Sequence, residues 1–212
     1  MSQLKLTADG GGGTVSLKGP ASTTGNAAIE LTVPGTGSST LATTATAGKI
    51  LQVQQKYFDS TASFSVSQST TPYDYTSGDN LVVAITPTSS SSKILVSGHI
   101  TVSMSGNNVF FLALRRSIGG GSLATIGANA SPSNRFNAIA QVRQSNGNDG
   151  VPISISFLDS PSTTSEVKYS YGFMHSAGGS SRTIYINRTH SDSDQSDYGY
   201  TGATILAQEV AA

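Results

Sequence analysis

Apolar residues recur along this chain with a period of two, and nowhere at i, i+3, i+4 and i+7 for long enough to build a helix. In EVKYSYGFM (166–174), Val167, Tyr169, Tyr171 and Phe173 fall on one face, with Lys168, Ser170 and Gly172 on the other. SGHITVSM (97–104) groups Ile100, Val102 and Met104, and VPISISFL (151–158) groups Val151, Ile153, Ile155 and Phe157. TIYINR (183–188) sets Ile184 and Ile186 opposite Tyr185. Side chains of a strand point alternately to its two faces, so this pattern dictates strands with one buried and one wetter side.

Turn clusters separate the runs: TPYDYTSGDN (71–80), PTSSSS (87–92), SGNN (105–108), IGGGS (118–122), QSNGNDG (144–150) and DSPSTTS (159–165). Asn-Gly and Asp-Gly accept positive φ and so punctuate hairpins. About ten short strands follow Ile50 at regular spacing, which predicts an all-β fold: an antiparallel β-sandwich of jelly-roll type. The small-residue stretch SSTLATTATAGKI (38–50) marks the expected boundary. Residues 1–49 read as an N-terminal appendage with its linker, and residues 50–212 as a β-domain.

Charged residues make up only 11% of the 212 residues, and Lys+Arg balances Asp+Glu at 12 each. Ordinary soluble domains carry roughly 25% charge. No net field draws such a chain to phosphate or anionic lipid, so neither nucleic acid nor membrane insertion is expected. Cysteine is absent, which excludes disulfides, thiol catalysis and thiolate zinc sites. MSQLKLTADG carries no basic-then-apolar leader, and no run approaches the roughly 18 apolar residues of a membrane span. The expectation is a soluble chain without a signal peptide.

Few residues offer reactive chemistry. DGGGGT (9–14) lacks the Gly-Lys-Ser/Thr of a phosphate loop, and AGKI (47–50) lacks the hydroxyl that would sit on magnesium. His99, His175 and His190 stand far apart, and no Gly-x-Ser-x-Gly elbow activates a serine. No enzyme and no cofactor are expected. THSDSDQSDYGYTG (189–202) crowds Asp192, Asp194 and Asp197 together, an oxygen-rich run that suits calcium or forms a solvated acidic loop. It has neither the glycine nor the closing glutamate of an EF-hand. Tyr73, Tyr75, Tyr198 and Tyr200 lie in two of the loops and offer flat faces with polar tips to a sugar or a protein, or clamp those loops to their own sheets. Arg115 and Arg116 point to opposite faces of VFFLALRR (109–116), placed for a neighbouring protomer's carboxylate or as charge at a strand end. Phe110 and Phe111, also alternating, predict a strand covered on both faces.

The N-terminal segment holds two short β-prone runs, TVSLK (14–18) and AAIELTV (27–33). Two strands of this length cannot bury an apolar face alone. Val15, Leu17, Ile29, Leu31 and Val33 are therefore expected to be covered by other chains.

TVSLKGPA (14–21) followed by LTVP (31–34) resembles a segment recurring in virion fibre proteins of tailed bacteriophages, particularly those of marine bacteria and cyanobacteria. LVVAITPTSSSSKILVSGHI (81–100) resembles the strand–turn–strand unit of the trimeric jelly roll found in complement globular heads and tumour-necrosis-factor-like domains. GATILAQEVAA (202–212) is similar to the closing strand of the phage version. The resemblance implies a homotrimeric virion protein, assembled in the bacterial cytoplasm. Residues 1–40 would dock on other virion proteins, and the head, a tail fibre or fibre-like appendage, would contact a host-surface glycan or protein. Phe110 and Phe111 would then lie on a strand with one face in the core and one at the subunit interface. A capsid-decorating protein without a receptor role is the alternative reading, and a carbohydrate-active β-sandwich enzyme a third. The enzyme would need two facing carboxylates, whereas Asp74, Asp79, Asp149 and Asp159 fall mainly in turns.

Overall fold

A computed structural model describes residues 3–7, 14–18, 48–75, 80–128, 134–145, 149–176, 178–193, 196 and 198–212, the first two stretches as backbone only. Ile29, Leu31, Val33, Asp194 and Asp197 lie outside the described residues, as do the side chains of Val15 and Leu17. The chain divides into two compact units, Met1–Thr44 and Ala45–Ala212.

In the first unit, β1 (Gln3–Thr7) pairs antiparallel with β2 (Thr14–Lys18), Leu4 opposite Leu17 and Leu6 opposite Val15. TVSLK thus forms the expected strand, but its hydrogen-bonding neighbour is QLKLT of the same chain. The pairing supplies one hydrogen-bonding neighbour from within the chain, beside the expectation that other chains cover the apolar face. QLKLT alternates just as TVSLK does.

The second unit is all-β, with no helix among its described residues. Its strands are β3 (Ile50–Phe58), β4 (Ala62–Val66), β5 (Tyr73–Asp74), β6 (Val82–Ile85), β7 (Lys93–Met104), β8 (Val109–Ile118), β9 (Ala124–Ile126), β10 (Ala140–Arg143), β11 (Val151–Asp159), β12 (Val167–His175), β13 (Arg182–Ile186) and β14 (Ala203–Val210). One sheet runs β3-β14-β7-β13-β4, with β11 on the far side of β7; the other runs β10-β8-β12-β5, with β6 on β12 and β9 on β8. The antiparallel pairs nest, first strand with last: β3–β14 outside, then β6–β12, β7–β11 and β8–β10. Nested pairs rolled into two facing sheets make a jelly-roll sandwich, as the strand spacing predicts.

The alternation sorts residues as expected. Val167, Tyr169, Tyr171 and Phe173 are fully buried between the sheets, facing Val96, Ile100, Ile184 and Ile205. Three polar devices fix how the sheets sit. Tyr171 Oη donates to the Thr204 carbonyl at 2.9 Å, passing Gly98. Arg116 reaches from β8 to Asp159 on β11 with contacts of 2.8 and 2.9 Å, and Tyr169 Oη donates to the same carboxylate at 2.8 Å. Burial, then the Asp159 charge and hydrogen bond, hold the Tyr169 phenol well above the usual tyrosine range. Finally, Gln144 acts as a one-residue strand partner: its Oε1 accepts from Met104 N at 2.7 Å and its Nε2 donates to Met104 O at 2.8 Å.

Candidate functional site

β13 sends Ile184 and Ile186 into the core and leaves Tyr185 on the outer face. Asn187 then takes a left-handed conformation, φ 60°, which asparagine tolerates better than most residues. Its buried Nδ2 donates to the carbonyls of Phe58 and Ser60, each at 2.9 Å. Its backbone N–H donates to Thr101 O and its carbonyl accepts from Thr201 N, also at 2.9 Å. One residue thereby anchors both the 188–192 turn and the 198–202 segment.

The anchored segments bring a surface cluster together. The Arg188 guanidinium lies 4.4 Å from the Tyr185 ring centre, a cation–π contact. Arg188 Nη1 is 3.1 Å from Asp192 Oδ2, and Tyr200 Oη donates to Asp192 Oδ1 at 3.0 Å. His190 tilts against Tyr185 with ring centres 5.3 Å apart. Tyr200 is 70% exposed, and Tyr57 packs over nearby Gly202. The arrangement offers aromatic faces, one cation, one carboxylate and an imidazole on a preorganised surface. Such a set suits stacking and hydrogen bonding more than bond-making.

Two members, Asp192 and Tyr200, are among the residues singled out in the sequence. Both Asp192 oxygens are engaged, by Arg188 and by Tyr200, and among the described residues no three of His, Asp and Glu gather around a potential metal. Tyr185, Arg188 and His190 escape sequence reading, because strand alternation says that Tyr185 faces outward and nothing about which cation folds over it. Tyr198 is half-buried. Tyr73 and Tyr75 both stack on Phe64, at 5.1 and 4.7 Å between ring centres, and Phe64 meets Phe173 edge-on. Those two rings join the β5 region to β4 in the opposite sheet.

Phe110 is buried in the core, and Phe111 on the other face stacks at 4.2 Å on Phe136 of the same chain. The arginine pair also finds its partners internally. Arg115 Nε and Nη2 contact Asp74 at 2.7 and 3.1 Å, while Arg116 holds Asp159. His99 is exposed and His175 is fully buried with Nε2 2.8 Å from Val66 O, so the three histidines occupy separate places.

A second surface feature lies on the outer face of β3-β14-β7-β11. Cross-strand register places Val53, Gln208, Leu95 and Leu158 in one row, and Gln55, Leu206, Ser97 and Ser156 in the next. Val53 is 50% exposed and Leu158 48%; Ile50 and Leu51 extend the apolar surface along β3. Among the described residues β3 pairs only with β14, so it is an edge strand.

Fold and surface together define a two-sheet jelly roll that presents contact surfaces. Structures with a similar chain trace include the VP2 subviral particle of infectious bursal disease virus, at 13% identity and TM-score 0.40, over 86% of this chain and 43% of that one. T=1 particles derived from infectious bursal virus match at 15% and TM-score 0.36, over 98% of this chain and 44% of that one. The Gx strain of the same virus matches at 13% and TM-score 0.35, over 86% and 42%. The chain spans less than half the length of these proteins, and likeness this slight carries no functional weight. No family model matches the sequence. No curated protein matches it either.

Proposed function

We propose that this chain is a structural protein of a virus particle: a homotrimeric tail fibre or fibre-like appendage of a tailed bacteriophage. In this reading residues 1–40 dock on other virion proteins and the jelly roll contacts a host-surface glycan or protein. The observation that carries the proposal is the apolar edge of the sandwich. Ile50, Leu51 and Val53 stand 40–50% exposed on an edge strand, and Leu158 extends their surface across the sheet. A solitary domain blunts such an edge with charge, proline or a covering element, because open strands and apolar rows recruit other chains. A permanent neighbour explains why this one carries only Lys56. The bacteriophage-like segments TVSLKGPA and LTVP support the same reading, and the Tyr185–Arg188–Tyr200 cluster supplies the host-facing surface.

Sedimentation of the purified full chain tests the assembly. The expected mass is that of three copies, whereas a compact, stable monomer at micromolar concentration overturns the proposal. Imaging of particles tagged at Ala212 then places the protein: density on tail fibres is expected, and density confined to the capsid shell replaces the fibre reading with a decorating role.

A further inference from the structure

We infer that the cleft on the outer face of β6, β8 and β12 binds a single hexuronic acid unit. Register builds it. Lys168 lies beside Ser117 and Ala84 across the three strands, and Ser170 lies beside Arg115 and Val82 one row further on. Val82, Ser117, Lys168 and Ser170 form the floor, and the segment after β8 supplies Gly120, Gly121 and Leu123 as the wall, enclosing about 260 Å³. That wall is held from below: Arg115 Nη2 donates to Leu123 O at 2.9 Å, while Arg115 itself is fixed by Asp74 and by Thr125 Oγ1 at 2.7 Å. Gly119 N donates to Glu166 O at 2.8 Å and Gly121 N to Ile118 O at 3.0 Å.

The polar groups of the cleft specify the ligand. Ser170 is 1% exposed, and its hydroxyl has no hydrogen-bond partner among the described residues. A buried hydroxyl left unmatched opposes folding, and a ligand hydroxyl in the cleft relieves that penalty. Ser117, also buried, adds a second group able both to donate and to accept. Lys168 is the cation of the cleft. It is paired with Glu166 only loosely, at 3.7 Å and with both side chains about half exposed, so it is available to a carboxylate. Val82 and Leu123 offer apolar contact to the C–H face of a sugar ring. Phosphate fits less well, because the Gly119 and Gly121 amides that would cradle it are already committed to carbonyls. The space is below the roughly 300–1,000 Å³ of drug-sized pockets, which limits the occupant to one ring.

Calorimetric or NMR titration of the full chain with D-glucuronate, D-glucose and acetate is the test. Saturable glucuronate binding in the millimolar range is expected, with glucose and acetate each weaker by about tenfold or more. Ser170→Ala should lose about tenfold in glucuronate affinity while the melting temperature stays or rises, since it removes an unmatched buried hydroxyl. Lys168→Met, at a half-exposed position, should erase the preference for glucuronate over glucose. Methyl β-D-glucuronide separates two sources of the ligand: equal affinity marks a site that reads a glycosidically linked chain end, and lost affinity marks one that reads the free monosaccharide through its anomeric hydroxyl. Absence of saturable glucuronate binding overturns the inference, as does binding unchanged in both variants.

Discussion

Tyr171, rooted in β12, donates its hydroxyl to the carbonyl of Thr204 on β14 in the facing sheet, 2.9 Å away, and Gly98 leaves the gap through which it passes. A Cβ at residue 98 would fall on both the Thr204 carbonyl and the Tyr171 hydroxyl. Burial holds the Tyr171 phenol well above the usual range, so it remains a donor wherever the fold persists.

Gly98→Ala should therefore destabilise the sandwich by about 3 kcal/mol, because the obstructing carbonyl belongs to the β14 backbone and cannot rotate away. Tyr171→Phe, which removes only the hydrogen bond, should cost about 1 kcal/mol. Denaturant unfolding of the two variants checks the order. Equal costs would show that the gap is not what Gly98 provides.

Glu209 is buried on β14 with no cationic partner among the described residues; it accepts from Gln52 Nε2, Thr88 N and Thr88 Oγ1, each at 2.7 Å. Burial alone would raise its pKa, but the hydrogen bonds from Gln52, Thr88 and Ser92 outweigh burial and lower it from 4.5 to about 2. A depressed folded-state value means that the stabilisation is complete above pH 4.5 and is lost as pH falls toward 2. About 3 kcal/mol should disappear across that window in the native protein. Glu209→Gln should flatten that part of the acid-unfolding profile. A variant that retains the full native slope would assign the acid sensitivity to other carboxylates.

Removing the surface cluster should separate binding from stability. Tyr200→Ala combined with Arg188→Ala strips the exposed ring and its ion pair, which at this exposure contributes at most about 1 kcal/mol to folding. Adhesion of the full-length protein to host cells should fall by about tenfold, the usual order for losing aromatic and arginine anchors. Undiminished adhesion would remove the cluster from the host-contact reading.

The apolar row on the outer sheet should govern assembly. Val53→Asp and Leu158→Asp place charge on positions that are half exposed in one chain, so each chain should fold while association weakens by at least about tenfold. Sedimentation over a dilution series measures it. Association identical to the native protein would locate the subunit contact elsewhere.

Much of this architecture can be read directly from residue order. The alternation in EVKYSYGFM named the four core side chains of β12 correctly, and FF in β8 announced a strand covered on both sides. What covers the second side is Phe136, and no periodicity links a loop ring to a strand ring twenty-five residues earlier. TVSLK is legible as a strand, whereas its pairing with QLKLT emerges only from the structure. The candidate site shows the same division: Tyr200 and Asp192 stand out as loop residues, but Tyr185, Arg188 and His190 become neighbours only through the turn at Asn187.

Covalent geometry alternates side chains along any strand, so the order of residues was sufficient to determine an antiparallel sandwich and which face of each strand is buried. It also determined that Arg115 and Arg116 diverge. Only the tertiary structure decided that they meet Asp74 and Asp159, 41 and 43 residues away, that Tyr171 reaches Thr204, and that an unmatched Ser170 looks into a cleft. Those pairings depend on which strands lie side by side and in what register. That is settled by the total burial of the two sheets, not by any local run of residues.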